Sequence, residues 1–216
     1  MKELIFALGG ALVGGLLVRL KKRNADSSAT KKEAAPPAKG YTYQWPRPAM
    51  TVDAIIVSQP TPSNAAQLLL IRRKFDPFKD CWALPGGFVD AGEGLDTAAA
   101  RELQEETSVD PASVSMTQVG AFADPGRDPR GWTVTVAYAA LVPSTDLGVK
   151  AADDAKDARW FDVSALPQLA FDHKLVVRSS LRHLAKQPAA QAIDGLPTLL
   201  RAAAAKLDGP WKAVDK

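Results

Sequence analysis

Short runs of apolar and β-branched residues recur through the middle of the chain, and turn-forming residues separate them. Runs of this length and composition predict β-strands. The strands are predicted at residues 51–57, 67–73, 82–89, 114–124, 131–142 and 158–163. A Pro/Ser/Asn-rich turn separates the first two strands, and a Pro-Gly-Gly loop ends the third.

Helical spacing of apolar residues is found in three other segments. It predicts helices at residues 96–107, 171–187 and 197–207, with Asp96 capping the first and Asp172 capping the second. A few separate helices among strands indicate an α+β fold or an α/β/α sandwich. They do not indicate regular βαβ repeats.

The N-terminal segment has a different pattern. Residues 4–18 are apolar without interruption, and four of the five residues at 19–23 are cationic. A signal peptide carries its charge before the apolar run, and a transit peptide is amphipathic and rich in Arg and Ser, so neither fits. We interpret residues 1–23 as an apolar helix that anchors the chain in a membrane through residues 4–20. The rest of the chain then faces the cytosol or an equivalent reducing compartment, and an organelle-targeted soluble protein is the alternative.

Composition divides the remainder of the chain. Residues 24–40 consist mainly of Ala, Ser, Pro and Lys, which indicates a disordered linker. A folded domain is expected at 41–190, followed by a helical tail at 191–216.

The net charge of +3 is unevenly distributed. Residues 1–40 contain eight Lys and Arg and three acidic residues, so they carry +5 and leave −2 for the rest. Because the rest has no Lys/Arg run with interleaved aromatics, we exclude nucleic acid as a partner. The single cysteine, Cys81, excludes an internal disulfide and fits a reducing compartment.

Three glutamates share one face of the first predicted helix. At 100° per residue, Glu102, Glu105 and Glu106 fall within an arc of about 100°, with only Arg101 as a cation in reach. Like charges four residues apart destabilise a helix by about 0.2–0.5 kcal/mol, so folding gives little reason to group them. The face is either a solvated acidic surface or a set of oxygen ligands for Mg²⁺ or a similar ion. The spacing alone leaves both interpretations open.

The residues around this face form a longer pattern. Gly87, Glu93 and the run Arg101-Glu102-Leu103-Gln104-Glu105-Glu106-Thr107-Ser108-Val109 resemble the Nudix box, G-x5-E-x7-R-E-U-x-E-E-x-G-U. The one departure is Ser108, which stands where the pattern has its last glycine. Glycine suits the left-handed end of a helix, so this departure concerns the local turn and leaves the acidic positions intact.

This resemblance implies a Nudix hydrolase, with a mixed sheet between helices and the box as a loop, a helix and a second loop. It implies Mg²⁺ or Mn²⁺ as the cofactor, held by three carboxylates and one backbone carbonyl: Glu102, Glu105, Glu106 and Gly87. Glu93 and Arg101 would order the loop and orient the carboxylates. Clustered carboxylates suit phosphoanhydride hydrolysis, because they hold metal ions and one carboxylate can accept a proton from water.

Resemblance to the ADP-ribose pyrophosphatase branch of this family extends over about residues 43–187. It implies a small-molecule nucleotide substrate, a nucleoside diphosphate linked to another group, with ADP-ribose first. Pro125 is similar to a proline of that branch, although a plain turn former explains it equally well. With Arg127 and Arg130 it predicts a cationic loop suited to a pyrophosphate.

Further candidates come from the same resemblance. Asp153 and Asp154 lie in a late loop where a general base is expected, and a solvated turn is the alternative. Arg72, Arg73 and Trp82 are candidates for the substrate pocket, although Trp82 suits the core as well.

Two other interpretations remain open. Some Nudix-like domains sense ADP-ribose without hydrolysing it and resemble this chain in the run Leu-Ala-Phe-Asp-His at 169–173. Those domains usually have an eroded box, and the acidic positions here are intact. The other is an enzyme for an oxidised nucleotide or a dinucleotide. His173 is interpreted as a structural residue of its helix start, and a second copy of the chain is kept as a candidate partner.

Overall fold

The computed structural model describes residues 42–62, 65–152 and 154–209. The apolar helix predicted at 1–23 and the linker predicted at 24–40 lie outside the described residues, and so does the predicted membrane contact. Among the residues that are described, no helix is both long and apolar enough to cross a bilayer.

A mixed β-sheet forms the centre of the described part of the chain. Its seven strands there are β1 Ala49–Ser58, β2 Gln67–Arg73, β3 Trp82–Ala83, β4 Gly86–Phe88, β5 Thr117–Phe122, β6 Thr133–Val142 and β7 Ala155–Asp162. Neighbouring strands follow the order β3-β2-β1-β6-β5, while β4 pairs with β1 and β7 pairs with β2. The strands β1 and β6 run parallel, and the other pairs are antiparallel.

Helices cover both faces of this sheet. They are α1 Leu95–Thr107, α2 His173–Leu184, the short α3 Pro188–Gln191 and α4 Leu196–Lys206, with a 3₁₀ turn at Pro111–Ser113. Alternate residues of β1 face opposite sides, as in any strand. Ile55 and Val57 pack with residues of α2 and α4, whereas Ala54 and Ile56 pack with Leu103 of α1. The prediction of a mixed sheet between helices is therefore confirmed.

The predicted elements differ from the structure mainly at their ends. The strand predicted at 82–89 is two short strands, because Leu84 and Pro85 lie between β3 and β4. Gly94, not Asp96, is the N-cap of α1. Asp172 is the N-cap of α2 but makes no side-chain cap hydrogen bond, since its carboxylate binds Arg127 instead.

The residues beyond 190 belong to the core. Leu196, Leu200 and Ala203 of α4 are buried in the same cluster as Val177 and Leu181 of α2. The sequence assigns this segment to a tail, but the structure packs it into the same compact unit as the sheet. The short α3 was not predicted, because four residues are too few to show a helical period.

Candidate functional site

The helix α1 has a buried side and a side that faces a cavity. Ala98, Ala99 and Leu103 are buried against the sheet and fix the rotation of the helix. The other side turns Glu102 and Glu105 toward the cavity. Glu106, which the structure buries, lines the same cavity, so the three predicted ligand side chains lie together.

Arg101 connects the loop before α1 to the acidic face of the helix. Its Nε and one terminal nitrogen donate to the two carboxylate oxygens of Glu93, both at 2.9 Å. Its other terminal nitrogen donates to Glu102 at 2.7 Å and to Glu105 at 2.9 Å. The Arg101 hydrogen bonds lower the pKa of Glu93 to about 2. Glu93 and Arg101 therefore lie where the sequence predicts loop-ordering residues.

Glu106 and Glu102 carry incompletely compensated charge. The Gly86 N–H donates to Glu106 Oε2 at 2.9 Å, yet burial raises the pKa of Glu106 to about 8, with a further contribution from Glu102. Burial likewise raises the pKa of Glu102, despite its hydrogen bond from Arg101. Both shifts mean that an additional positive charge beside these carboxylates would be favourable.

The Gly86–Gly87 segment leaves no space for side chains. A Cβ on Gly87 would lie 2.4 Å from Glu102 Oε1, and a Cβ on Gly86 would lie 2.1 Å from the carbonyl oxygen of Val52. The loop therefore approaches both the acidic helix and β1 more closely than any residue with a side chain permits. This close approach places the Gly87 backbone beside the carboxylates, as the resemblance implies.

A cavity of about 390 Å³ opens beside the carboxylates. Three guanidinium groups line it together with the carboxylates: that of Arg101, which is paired with glutamates, and those of Arg73 and Arg130. Phe75 and Phe88 also line it and remain 53% and 44% exposed, which is unusual for phenylalanine and leaves ring surface available to a ligand. Asp154, one of the two candidate bases, is on the same cavity wall.

The two arginines of the predicted cationic loop have different environments. The Arg127 side chain is 5% exposed and makes a bidentate pair with Asp172, at 2.9 and 2.7 Å. The Arg130 side chain is 40% exposed, binds Asp128, and lies over the rings of Phe88 and Phe171 at the cavity. Arg127 does not line the cavity beside α1 but a smaller one next to Gly86 and Gly87, and its charge is paired with a buried carboxylate. A contact between Arg127 and the substrate stays a prediction.

Three other predicted substrate residues do not line this cavity. Trp82 packs on the core with its ring edge-on to Phe161, at a centroid distance of 4.6 Å. Arg72 donates to the backbone carbonyl of Asp80, and Pro125 lies in an exposed turn. Asp153 lies outside the described residues.

Sequence reasoning missed the two phenylalanines. Phe75 follows β2 directly, in a Lys-Phe-Asp-Pro-Phe loop, and loops after strands often carry binding residues. Phe88 lies inside the box pattern, between its first glycine and Glu93. An apolar residue in either place reads as core, and only the fold shows that these rings are exposed.

The oxygen donors around the cavity fit a hard divalent cation. Carboxylates are the ligands that Mg²⁺ and Mn²⁺ prefer, and the raised pKa values of Glu102 and Glu106 favour a cation next to them. In the described part of the chain, no three acidic, histidine or cysteine side chains are arranged to enclose an ion. Glu102 and Glu105 instead share the Arg101 guanidinium, and Glu106 accepts from the Gly86 amide. The fit therefore rests on the chemistry of the donors.

Comparison with known proteins gives a consistent family. The sequence model of the NUDIX domain family matches residues 48–183. An ADP-ribose pyrophosphatase from Methanocaldococcus jannaschii is 43% identical over 135 residues, which cover 62% of this chain and 74% of that protein. The ADPR responsive transcriptional repressor NtrR from Acinetobacter baylyi is 37% identical over 144 residues, which cover 65% of this chain and 56% of the repressor.

A solved structure agrees with these relatives. The NUDIX domain of Shewanella oneidensis NrtR complexed with ADP ribose superimposes with a TM-score of 0.57 at 32% identity, covering 65% of this chain and 90% of that chain. The matched residues include the loop at 84–87, here called the glycine loop, the acidic face of α1 and the arginines of the cavity. This chain therefore belongs to the Nudix family.

Proposed function

We propose that this chain is a Mg²⁺-dependent hydrolase of a nucleoside diphosphate linked to another group, and that it cleaves ADP-ribose to AMP and ribose 5-phosphate. The observation that carries the proposal is the cavity beside α1. Besides the Arg101 guanidinium that pairs with the carboxylates of α1, it holds the guanidinium groups of Arg73 and Arg130 and the exposed rings of Phe75 and Phe88. A diphosphate needs the cations, a nucleobase can stack on the rings, and a volume of about 390 Å³ suits a small ligand.

Hydrolysis forms a bond from a water oxygen to one phosphorus and breaks the bridging P–O bond. The water proton passes to a carboxylate, and the other phosphate leaves with its sugar. Asp154 is our candidate for the proton acceptor, because it lines the same cavity as the carboxylates of α1, and Asp153 is the alternative. The guanidinium groups of Arg73 and Arg130 bind phosphate oxygens and orient the diphosphate.

The residues that would hold Mg²⁺, or Mn²⁺ in its place, are three side chains and one backbone carbonyl: Glu102, Glu105, Glu106 and Gly87. When bound, the cation supplies neutralisation of phosphate charge and a lower pKa for water. Arg101 keeps Glu102 and Glu105 close together before any cation is bound. Arg101 thereby holds these two carboxylates in place for the cation.

Relatives support ADP-ribose as the substrate. The archaeal relative is an ADP-ribose pyrophosphatase, and the Shewanella domain is complexed with ADP ribose. The test is a substrate panel on the full-length protein with Mg²⁺, in which AMP and sugar phosphate release are followed for ADP-ribose, a dinucleotide, an oxidised nucleotide and a triphosphate. We expect kcat/KM for ADP-ribose to exceed that for the triphosphate by at least about tenfold. A preference for the triphosphate would show that the substrate assignment is wrong.

Neighbouring arginines of β2 provide a matched pair of variants. Arg72 and Arg73 both donate through Nε to a carbonyl of the following loop, of Asp80 and Pro77, and Arg73 also donates to the Phe75 carbonyl at 3.4 Å, so both truncations remove a bond that holds this loop. Of the two, Arg73 lines the cavity. Arg73→Ala should raise KM for ADP-ribose about tenfold or more, whereas Arg72→Ala should leave KM within about twofold. Equal effects would place the diphosphate elsewhere.

ADP-ribose sensing without hydrolysis is the second candidate function, because one relative is an ADPR responsive repressor. The intact acidic face favours hydrolysis. Calorimetry of ADP-ribose with the full-length protein, with and without Mg²⁺, separates the two functions. Binding that produces no AMP over hours would establish the sensor.

Location and assembly rest on the sequence. We propose that residues 4–20 anchor the chain in a membrane, with the Nudix domain in the cytosol or an equivalent reducing compartment. The full-length protein should pellet with membranes and resist carbonate extraction, whereas a chain lacking residues 1–23 should remain in the supernatant with equal activity. A mature N-terminus beyond residue 23 would instead indicate a targeting peptide. Light scattering tests the proposed homodimer.

A further inference from the structure

A second group of polar side chains lies buried beside the Gly86–Gly87 segment, among β1, β6 and the start of α2. It consists of Asp53, Thr135, His173, Arg127 and Asp172, here called the buried polar network. The Thr135 hydroxyl donates to Asp53 Oδ2 at 2.7 Å, and Arg127 pairs with Asp172 while one of its nitrogens lies 3.9 Å from Asp53. None of these groups belongs to the predicted metal site.

His173 joins this network to the backbone of the glycine loop. Its Nδ1 accepts the Leu84 N–H at 2.9 Å, and its Nε2 lies 3.4 Å from Asp53 Oδ1. Because Nδ1 is an acceptor, the neutral ring carries its proton on Nε2, which faces the carboxylate. The imidazole therefore bridges Asp53 and Leu84 with its two nitrogens in different roles.

The bond to Leu84 is one of three that hold consecutive residues of this loop. The Ala54 N–H donates to the Pro85 carbonyl at 2.8 Å, and the Gly86 N–H donates to Glu106 at 2.9 Å. Asp53 also pairs with Gly86 in the register of β1 and β4. The loop therefore has its position set by the sheet on one side, by α1 on another, and by α2 through His173.

A purely architectural role does not explain why this position is polar. Removing several polar groups from water is unfavourable, and apolar residues of similar volume often stabilise a core as well or better. The imidazole ends on the loop whose next residues meet Glu106 and Glu102, where a displacement of a few tenths of an ångström matters. The polar bridge is therefore better explained by the geometry that it maintains.

We propose that His173 is a positioning residue of the hydrolase, which acts through Leu84 to hold the Gly86–Gly87 segment against the carboxylates of α1. This proposal rests on the proposed function only for its activity readout. Outer groups that orient a metal site commonly change metal affinity or activity by about 10–100-fold when removed. The loop itself can be observed in the absence of metal and substrate.

The test compares His173→Leu with His173→Asn. Leucine and asparagine have similar shapes, but the asparagine Oδ1 can accept the Leu84 N–H in place of Nδ1. Leu181→Ala is the control for loss of core packing, because Leu181 is buried in the same helix and shares a core cluster with Leu84, yet its side chain offers no hydrogen-bond partner to the Leu84 N–H. The readouts are hydrogen exchange of the Leu84, Gly86 and Gly87 amides in metal-free protein, the Mg²⁺ concentration for half-maximal rate, kcat and KM.

We expect His173→Leu to accelerate exchange of the Leu84 and Gly86 amides at least about tenfold. We also expect kcat to fall about 10–100-fold and the required Mg²⁺ to rise, with KM within about threefold. His173→Asn should restore most of the amide protection and most of kcat. Leu181→Ala should lower Tm and leave the exchange of the Leu84 and Gly86 amides and kcat near their wild-type values. Equal loss in the asparagine and leucine variants, or unchanged exchange in His173→Leu, would overturn the proposal.

Failure of the proposed function would give a different result. If wild-type protein hydrolyses nothing, the exchange comparison still decides the role of His173, because it uses neither substrate nor metal. If His173→Leu does not fold, Thr135→Val removes the hydroxyl donor to Asp53 at the other end of the network. Exchange of the Leu84 amide should then rise at least about threefold, and unchanged exchange would overturn the proposal.

Discussion

Two polar clusters lie on opposite sides of the Gly86–Gly87 segment and treat charge differently. On the α1 side, several carboxylates share the single Arg101 guanidinium, and the pKa values of Glu102 and Glu106 are raised. In the buried polar network, Arg127 and Asp172 form a bidentate pair, the Thr135 hydroxyl donates to Asp53, and His173 Nε2 lies 3.4 Å from Asp53 Oδ1.

The difference separates two roles of buried charge. A cluster whose charges are satisfied within the protein needs no ligand, and it defines where backbone and helices lie. A cluster with raised carboxylate pKa values is improved by a cation from outside. The same contrast separates Arg127 and Arg130, which are three positions apart: Arg127 is buried in its pair with Asp172, whereas Arg130 is 40% exposed and lines the cavity beside α1.

Exchanging Arg127 or Arg130 for alanine should give the largest difference. Arg127→Ala leaves two buried carboxylates without their cation, so the free energy of unfolding should fall by about 3–5 kcal/mol. Arg130→Ala should lower it by about 1–2 kcal/mol, since Asp128 keeps a backbone donor, and should mainly raise KM. Urea unfolding and steady-state kinetics measure both. A selective KM effect in Arg127→Ala would place that arginine in the substrate site after all.

Removing one charge from the unsatisfied cluster should mainly affect catalysis. Glu106→Gln retains size and should lower kcat at least about 100-fold, which corresponds to about 2.7 kcal/mol. Metal-free protein should lose no stability, because the side chain is buried with a raised pKa. The control is Asp146→Asn, an exposed acid that does not line the cavity. Near wild-type hydrolysis by Glu106→Gln would show that the acidic face is not catalytic.

The buried polar network should make the stability of the protein depend on pH through His173. Burial lowers the pKa of His173, with Arg127 and Arg73 acting in the same direction and Asp53 and Asp172 opposing them. Below about pH 6.5 the histidine binds a proton in the unfolded chain but stays neutral in the folded protein, because its folded-state pKa is lowered. The free energy of unfolding therefore falls as pH falls. One group contributes at most about 1.4 kcal/mol per pH unit.

Unfolding of wild type and His173→Asn between pH 7.5 and about 5 measures this contribution. The asparagine variant should lose the histidine part of the slope and keep the remainder. Identical slopes in the two proteins would mean that His173 is protonated in the folded state.

Ser108→Gly should produce the smallest change. Ser108 ends α1 with φ 59°, and its N–H donates to the Gln104 carbonyl at 2.8 Å. A left-handed serine costs about 1–2 kcal/mol, and glycine recovers part of this because it loses more chain entropy on folding. We expect stabilisation by about 0.5 kcal/mol, measured by thermal unfolding, with activity unchanged. Destabilisation would mean that the serine side chain contributes at this turn.

The sequence predicted the parts of the site that depend on local spacing. Gly87, Glu93, Arg101 and the three glutamates lie within one loop and one helix, so their relation follows from the helical period. The environment of Arg127 could not be predicted, because its partner Asp172 is 45 residues away. The core position of Trp82 agrees with the alternative that the sequence analysis keeps for it. The exposed ring of Phe75 depends on how its loop packs, and an apolar residue carries no sign of that.

The fold shows the same division. The predicted bounds of β2 are those of the structure, because a continuous apolar run between turn-forming segments determines them. The interruption at Leu84 and Pro85 was not predicted, since it follows from the pairing of β4 with β1 and from the contact with His173. Local pattern thus determines the elements, and contacts distant in sequence determine where they break.

The parallel pairing of β1 and β6 has a consequence for how the protein forms. Thr135 and Asp53, which it brings together, are 82 residues apart, and Leu84 and His173 are 89 apart. Contacts this distant in sequence slow folding, because a long loop must close before they contribute. During synthesis the glycine loop and α1 leave the ribosome well before α2. We therefore expect a nascent chain that ends before residue 173 to be inactive and sensitive to protease.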